Sequence, residues 1–168
     1  MPPTLQSPDV RYREAFLRMF ASYAAAGSDE WCSAAVEAPG DFEFYVKKLQ
    51  AEAAGIGIAG DWVPTSHFWL RLGPDLVGTL RVRHFLTPAV EQRAGHIGYD
   101  IAPAFRRQGL GHEIVRLGLI EATKLGIGDI LAICGESNEA SRRILERHGA
   151  EVEKVRDGEV WYWIRRSG

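Results

Sequence analysis

The sequence predicts an α/β (α+β) domain: a mixed, mostly antiparallel twisted sheet of about six to seven strands, with about four helices on its faces. Three observations predict it. Helical and strand-like segments follow one another as helix, helix, antiparallel strands, then strand, helix, strand, helix and a closing hairpin. The helical segments stop at glycines, at Gly27, near Gly55, at Gly126 and at Gly149. The chain has 168 residues, 46% of them apolar and 25% charged, which is enough for one domain with a real core and leaves no need for a second.

Each element has a local reason. Ser7-Pro8-Asp9 combines an N-cap with proline at the first helical position, and Phe16, Met19, Phe20 and Tyr23 follow at helical spacing. Phe42, Tyr45, Val46, Leu49 and Ala53 mark a second helix. Residues 55–63 form a Gly-rich loop. Residues 67–72 and 76–86 read as a hairpin around Gly73-Pro74-Asp75. Residues 87–94 read as a polar connection and 95–101 as the next strand. A central helix runs from about 110 to 125, with Leu110, Ile114, Leu117 and Leu125 on one face, and a short buried strand follows at 129–134. Ser137 or Asn138 caps a last helix that runs to about His148. Asp157-Gly158 is a mirror-image hairpin turn between strands at 150–156 and 159–165.

Bulk properties narrow the function. A net charge of −2 without a basic stripe argues against nucleic acid and anionic membrane as partners. No apolar run is long enough to span a bilayer, and the first residues carry no leader pattern. Cys32 and Cys134 fit neither a metal spacing nor a disulfide framework. A cytoplasmic, metal-free protein is the expectation.

The informative stretch is 97–111, Ile-Gly-Tyr-Asp-Ile-Ala-Pro-Ala-Phe-Arg-Arg-Gln-Gly-Leu-Gly. It passes from a strand through a basic turn to Gly109-Leu110-Gly111 at the start of the central helix. Glycines let backbone N–H groups approach a ligand, and the helix start adds partial positive charge, so the turn is a phosphate cradle. Arg106 and Arg107 add full charges. A dinucleotide fingerprint would need glycine where Ile114 stands, and no Lys-Ser or Lys-Thr follows Gly111, so the P-loop pattern fails too. A pyrophosphate on a carrier fits better than phosphoryl transfer. As an isolated pair, the two glycines could equally serve only a tight turn.

Arg106 to Gly111 resembles the Arg/Gln-x-x-Gly-x-Gly/Ala signature of the GNAT superfamily of acyl-CoA-dependent N-acetyltransferases. Ser137-Asn138-Glu139-Ala140-Ser141 stands where that family has its second motif. The resemblance covers roughly residues 67–165. Residues 62–69 and 96–99 also resemble an uncharacterised bacterial sub-branch of predicted acetyltransferases.

The resemblance implies splayed central strands with acetyl-CoA in the gap. The backbone of Tyr99, Asp100 and Ile101 would pair with its pantetheine arm. Arg106, Arg107, Gln108, Gly109, Leu110, Gly111 and His112 would hold the pyrophosphate, and Asn138 and Ser141 would lie near the pantetheine or thioester. It implies transfer to a primary amine of a small molecule or peptide, by direct attack. The alternative is a non-catalytic acyl-CoA-binding regulatory module; a homodimer is possible. His96 stands where related branches carry a glutamate and is the candidate general base, or else a strand histidine bonded to a neighbour. Asn138 is a candidate catalytic residue, or a simple N-cap. Leu145 occupies the position of the tyrosine that serves as acid in many members. Tyr99, Tyr162, Ser141 or water would have to replace it. Acceptors of the family meet the first two helices and the final hairpin, here residues 27–60 and Trp161, Tyr162 and Trp163. Asp29, Glu30, Glu37, Asp41 and Glu43 would favour a cationic amine there, or are solvated helix-end charges. Trp31, Trp62 and Trp69 line an acceptor pocket or belong to the core.

Overall fold

Tertiary pairing adds to the sequence expectation at the very start of the chain. The structure, a computed structural model, describes residues 1–28 and 41–166. Strand β1 (Thr4–Gln6) lies antiparallel along β2 (Thr65–Leu72), with Leu5 opposite Leu70. Three residues before a proline carry no period that could reveal a strand; the partner creates it. A 3-10 turn at Val10–Tyr12 leads into α1 (Arg13–Ala25), and the Asp9 carboxylate accepts from the Arg11 amide. Helix α2 (Phe42–Ala53) is capped by Asp41, which accepts from the Phe44 amide.

β2 forms the expected hairpin with β3 (Asp75–Arg83). The polar connection is partly helical: Thr87 accepts from the Val90 amide and starts α3 (Pro88–Arg93). Six residues are too short for periodicity to show, although the Thr-Pro start is a capping signal. Then come β4 (Ile97–Ile101), α4 (Leu110–Lys124), β5 (Ile130–Gly135), α5 (Glu139–Arg147), β6 (Ala150–Arg156) and β7 (Glu159–Ile164). Asp157 and Gly158 both adopt positive φ, at 51° and 77°, as the mirror-image turn requires.

Among the described residues, seven strands are ordered β1-β2-β3-β4-β5-β7-β6, and of these only β4 and β5 run parallel. Two cores lie on the two faces. On one, Leu80, Val82, Ile97, Ile101, Ile130 and Ala132 of the sheet bury Leu110, Ile114, Val115 of α4 and Leu145 of α5. On the other, Phe16, Met19 and Tyr23 of α1 and Phe42, Tyr45 and Val46 of α2 close over Trp69 and Leu76. Trp69 is therefore core, packed against Phe16 with ring centroids 4.9 Å apart. Among the described residues, no helix is long and apolar enough to cross a membrane.

Candidate active site

β4 and β5 join at one point and then part. Ile97 pairs with Ala132. Just before it, the His96 amide donates to the Leu131 carbonyl at 2.7 Å, and the Leu131 amide donates back to His96 Nδ1 at 3.0 Å. No ladder pair joins residues 98–101 to β5, while Gly98, Tyr99, Asp100 and Ile101 all stay paired with β3. Alternation decides which backbone groups face the gap. The Ala102 amide donates to Val77 on the β3 side, and the Ile101 carbonyl accepts Arg106 Nε at 2.9 Å on the other. Tyr99 and Ile101 therefore turn their backbone to the gap. Asp100 turns its own to β3, contrary to the expectation that its backbone joins the cofactor strand.

The turn to α4 makes an amide nest. Arg107 and Gly109 take left-handed φ of 61° and 78°. None of the amides from Arg107 to Gly111 donates a backbone hydrogen bond. They lie where the positive end of the helix falls. The His112 amide is not part of the nest, because it returns to the Gly109 carbonyl at 3.1 Å. Its ring stands 5.8 Å from that of His148. Arg106 also departs from expectation: its guanidinium bends back to the Ile101 carbonyl and, at 3.5 Å, to the Asp100 carboxylate. It ties the turn to β4 rather than reaching forward. Gly111 permits close helix packing, since a Cβ there would meet Ile144 Cδ1 at 2.5 Å.

α5 closes the gap from the same face. Asn138 Oδ1 accepts from the Ser141 amide at 3.1 Å, so the capping reading of Asn138 applies. The Ser141 and Tyr99 hydroxyls are 2.8 Å apart. Burial pushes the Tyr99 phenol up to about 12, with the Ser141 hydrogen bond acting against it. Ser141 precedes Leu145 by one helical turn and shares its face. Tyr162 is committed elsewhere: its hydroxyl accepts from Arg142 and donates to Glu146.

His96 is buried, and burial followed by the Arg83 charge lowers its pKa. Its Nδ1 lone pair is used by Leu131, so the ring is neutral with the proton on Nε2. A base needs that lone pair. The geometry gives His96 the other role weighed for it, a strand histidine bonded to a neighbour.

Among the described residues, the opposite face of the gap carries two arginines. Arg81 pairs with Gly98 across the ladder, and Arg83 extends the same face. A Cβ on Gly98 would stand 3.3 Å from Arg81 Nε and Nη2 and 3.6 Å from Arg83 Nη1. Two guanidiniums thus converge over β4 where it borders the gap. Arg-x-Arg at period two within an apolar strand is the signal that marks them in the sequence. Of the expected acidic residues, Asp41 caps α2 and Glu43 pairs with Lys47 at 2.9 Å. Asp29, Glu30, Trp31 and Glu37 lie outside the described residues. Trp62 does border this face, 5.3 Å from the Arg83 guanidinium. Trp161 is buried and donates to the Glu91 carbonyl. Trp163 meets His96 edge-on at 6.4 Å.

A half-open parallel pair leading to an amide nest defines a domain built to hold an extended carrier that ends in phosphate. The Acetyltransferase (GNAT) domain family matches residues 4–151, and the chain belongs to that family. Several solved structures share the fold. The microcin C7 self-immunity acetyltransferase MccE, in complex with acetyl-CoA and AMP, is 15% identical with a TM-score of 0.71, over 98% of this chain and 92% of that one. RimL, a ribosomal L7/L12 alpha-N-protein acetyltransferase in complex with coenzyme A, is 16% identical with a TM-score of 0.68, over 96% and 92%. The N-acetyltransferase PseH of Campylobacter jejuni is 11% identical with a TM-score of 0.61, over 98% and 99%. No curated protein sequence matches the chain.

Proposed function

We propose that the protein is an acetyl-CoA-dependent N-acetyltransferase that acts on a primary amine by direct attack. The observation that supports this most is the gap between β4 and β5, which opens onto the unbonded amides of Arg107 to Gly111. The Tyr99 carbonyl and the Ile101 amide can pair with the amides of a pantetheine arm as an added strand does. The nest and the end of α4 suit its pyrophosphate. Acetyl-CoA brings an activated thioester; the remaining tasks fall to this chain. The Tyr99 amide, facing the gap, is placed to donate to the oxygen on which charge develops. The amine enters from the α1–α2 face and must be neutral. Arg81 and Arg83 favour the neutral form, because nearby cations lower the pKa of an ammonium group. Its proton passes to water. The Tyr99–Ser141 hydroxyl pair takes the place left by Leu145 and donates toward the leaving sulfur. A phenol held at about 12 stays protonated at neutral pH, as a donor must. Asn138 orders that end of α5 by capping it.

Calorimetric titration with acetyl-CoA, with NAD and ATP as controls, tests this reading. Acetyl-CoA binds and the controls do not. Gly109→Asp weakens binding by about tenfold or more, since a carboxylate enters the anion nest. Its Cβ meets nothing within 4 Å, and aspartate tolerates positive φ. Thiol release with an amine panel then separates an enzyme from a binding module. Equal affinity for ATP, or no effect of Gly109→Asp, overturns the cradle. Acetyl-CoA binding without thiol release from any amine supports the non-catalytic module instead.

A further inference from the structure

One wall of the gap carries a thiol that no step of the transfer uses. Ile97 and Ala132 are the ladder pair that joins β4 to β5, and both bury their side chains in the α4–α5 core. The register of β4 on β3 and of β5 on β7 is unbroken, so two residues further along each strand the side chains return to that same face. Those residues are Tyr99 on β4 and Cys134 on β5. They stand on opposite walls of the gap, beyond the last ladder pair, and both pack against the α4–α5 core.

Ser141 of α5 ties the two walls together. Its hydroxyl lies 2.8 Å from the Tyr99 hydroxyl and also hydrogen-bonds the Cys134 thiol. Cys134 is a free cysteine and only partly buried. Burial pushes its thiol up, while the Ser141 hydrogen bond and the Arg142 charge pull the other way. The thiolate fraction at neutral pH is therefore small, and Cys134 is slow toward reagents that merely collide with it. A reagent bound beside it reacts faster, because exchange within a complex gains from proximity.

The acetyl-transfer reading brings such a reagent. It seats the sulfur of coenzyme A at the Tyr99–Ser141 pair, and Cys134 shares Ser141 with that pair. RimL, for its part, holds coenzyme A joined by a disulfide to one of its own cysteines.

We propose that Cys134 is a modification site for coenzyme A: it reacts with the disulfide of coenzyme A, and the mixed disulfide that forms occupies the donor gap. This assigns a regulation to the acetyl-transfer site and rests on that reading. The Cys134 thiolate attacks one sulfur of the bound reagent. The reagent's S–S bond breaks and a bond from Cys134 to coenzyme A forms. The second coenzyme A leaves as a thiolate and takes up the proton that Cys134 released. One disulfide is consumed and one is made, so no further oxidant is required. The joined chain binds no acetyl-CoA until a thiol reductant opens the new bond.

The reduced protein is incubated with coenzyme A disulfide and followed by intact mass and by peptide mapping without reductant. The expected result is one coenzyme A per chain, on the peptide that carries Cys134. Acetyl-CoA binding, read by calorimetry, is lost with it and returns on addition of dithiothreitol. Glutathione disulfide offers the same S–S bond without a pyrophosphate and modifies Cys134 at least tenfold more slowly. Gly109→Asp slows the coenzyme A reaction and leaves the glutathione reaction unchanged. Cys134→Ser takes up no coenzyme A at that peptide, and mapping of the wild-type chain locates the adduct without relying on any variant. No adduct at Cys134, an adduct confined to Cys32, or equal rates with the two disulfides overturns the proposal. Acetyl-CoA titration of the reduced protein keeps the two readings apart. If the donor does not bind, the transferase reading fails; if it binds and Cys134 stays unmodified, only this inference fails.

Discussion

At His96 one ring nitrogen settles a role that residue type alone left open. Its Nδ1 satisfies the buried Leu131 amide, so the histidine is a fastener between β4 and β5. His96→Phe leaves that amide without a partner and costs about 1–3 kcal/mol. His96→Asn puts an oxygen where Nδ1 was and loses much less; urea titration of both checks it. The pH dependence follows from the same contact. Burial lowers the folded pKa below the unfolded value near 6.5, so the unfolded chain binds more protons in acid. Stability is complete above that value and falls as pH drops below it, and His84 and His148 shift in the same direction. Melting curves between pH 7 and pH 5 fall less steeply for His96→Asn than for wild type. Sequence could name His96, Tyr99 and Asn138 as candidates, because the motif fixes their positions. It could not choose between their roles, since hydrogen-bond partners such as Leu131 and Ser141 are 35 and 42 residues away.

The last helix start was legible because its chemistry is local, whereas Asp9 rather than the expected Ser7 caps the first turn and the start at Thr87 was read as a connection. Asp9, Asp41, Thr87 and Asn138 each accept from an amide two or three residues on. Asn138→Ala removes one such bond and costs about 1 kcal/mol, or about 2–4 °C in Tm. Asn138→Asp keeps the cap and the Tm, and thermal melts distinguish the two. Strand ends were less legible. β3 stops at Arg83 rather than Leu86, because its partners β2 and β4 end there. The nest was visible as glycines, but its extent was not. The Arg106 side chain folds back and the His112 amide turns into the helix, and both are decided by backbone geometry that no single residue announces. The acceptor face carries charges that residue counting near the first helices did not reach. Counting acidic residues around the first helices overlooked Arg81 and Arg83, which belong to β3 and lie near Gly98.

For the whole molecule, the decisive feature is a sheet joined at its centre by one ladder pair, Ile97 with Ala132. On the proposed reading, donor binding in the gap adds the missing pairing. Acetyl-CoA at a hundred times its Kd then stabilises the fold by about 2.7 kcal/mol. Hydrogen exchange should slow most at Tyr99, Ile101 and residues 107–111, and far less at β1, β6 and β7. Uniform protection, or none, would contradict a donor seated there. The partly opened sheet also acts as a partition. The amide nest and the Tyr99–Ser141 pair lie on its α4–α5 side, and Arg81, Arg83 and Trp62 on the other, with β4 as the shared wall. On the proposed reading, selection for a new acceptor can rewrite one compartment while the other keeps the same donor, and this separation would let a single scaffold diversify its substrates by changing a few strand residues at a time.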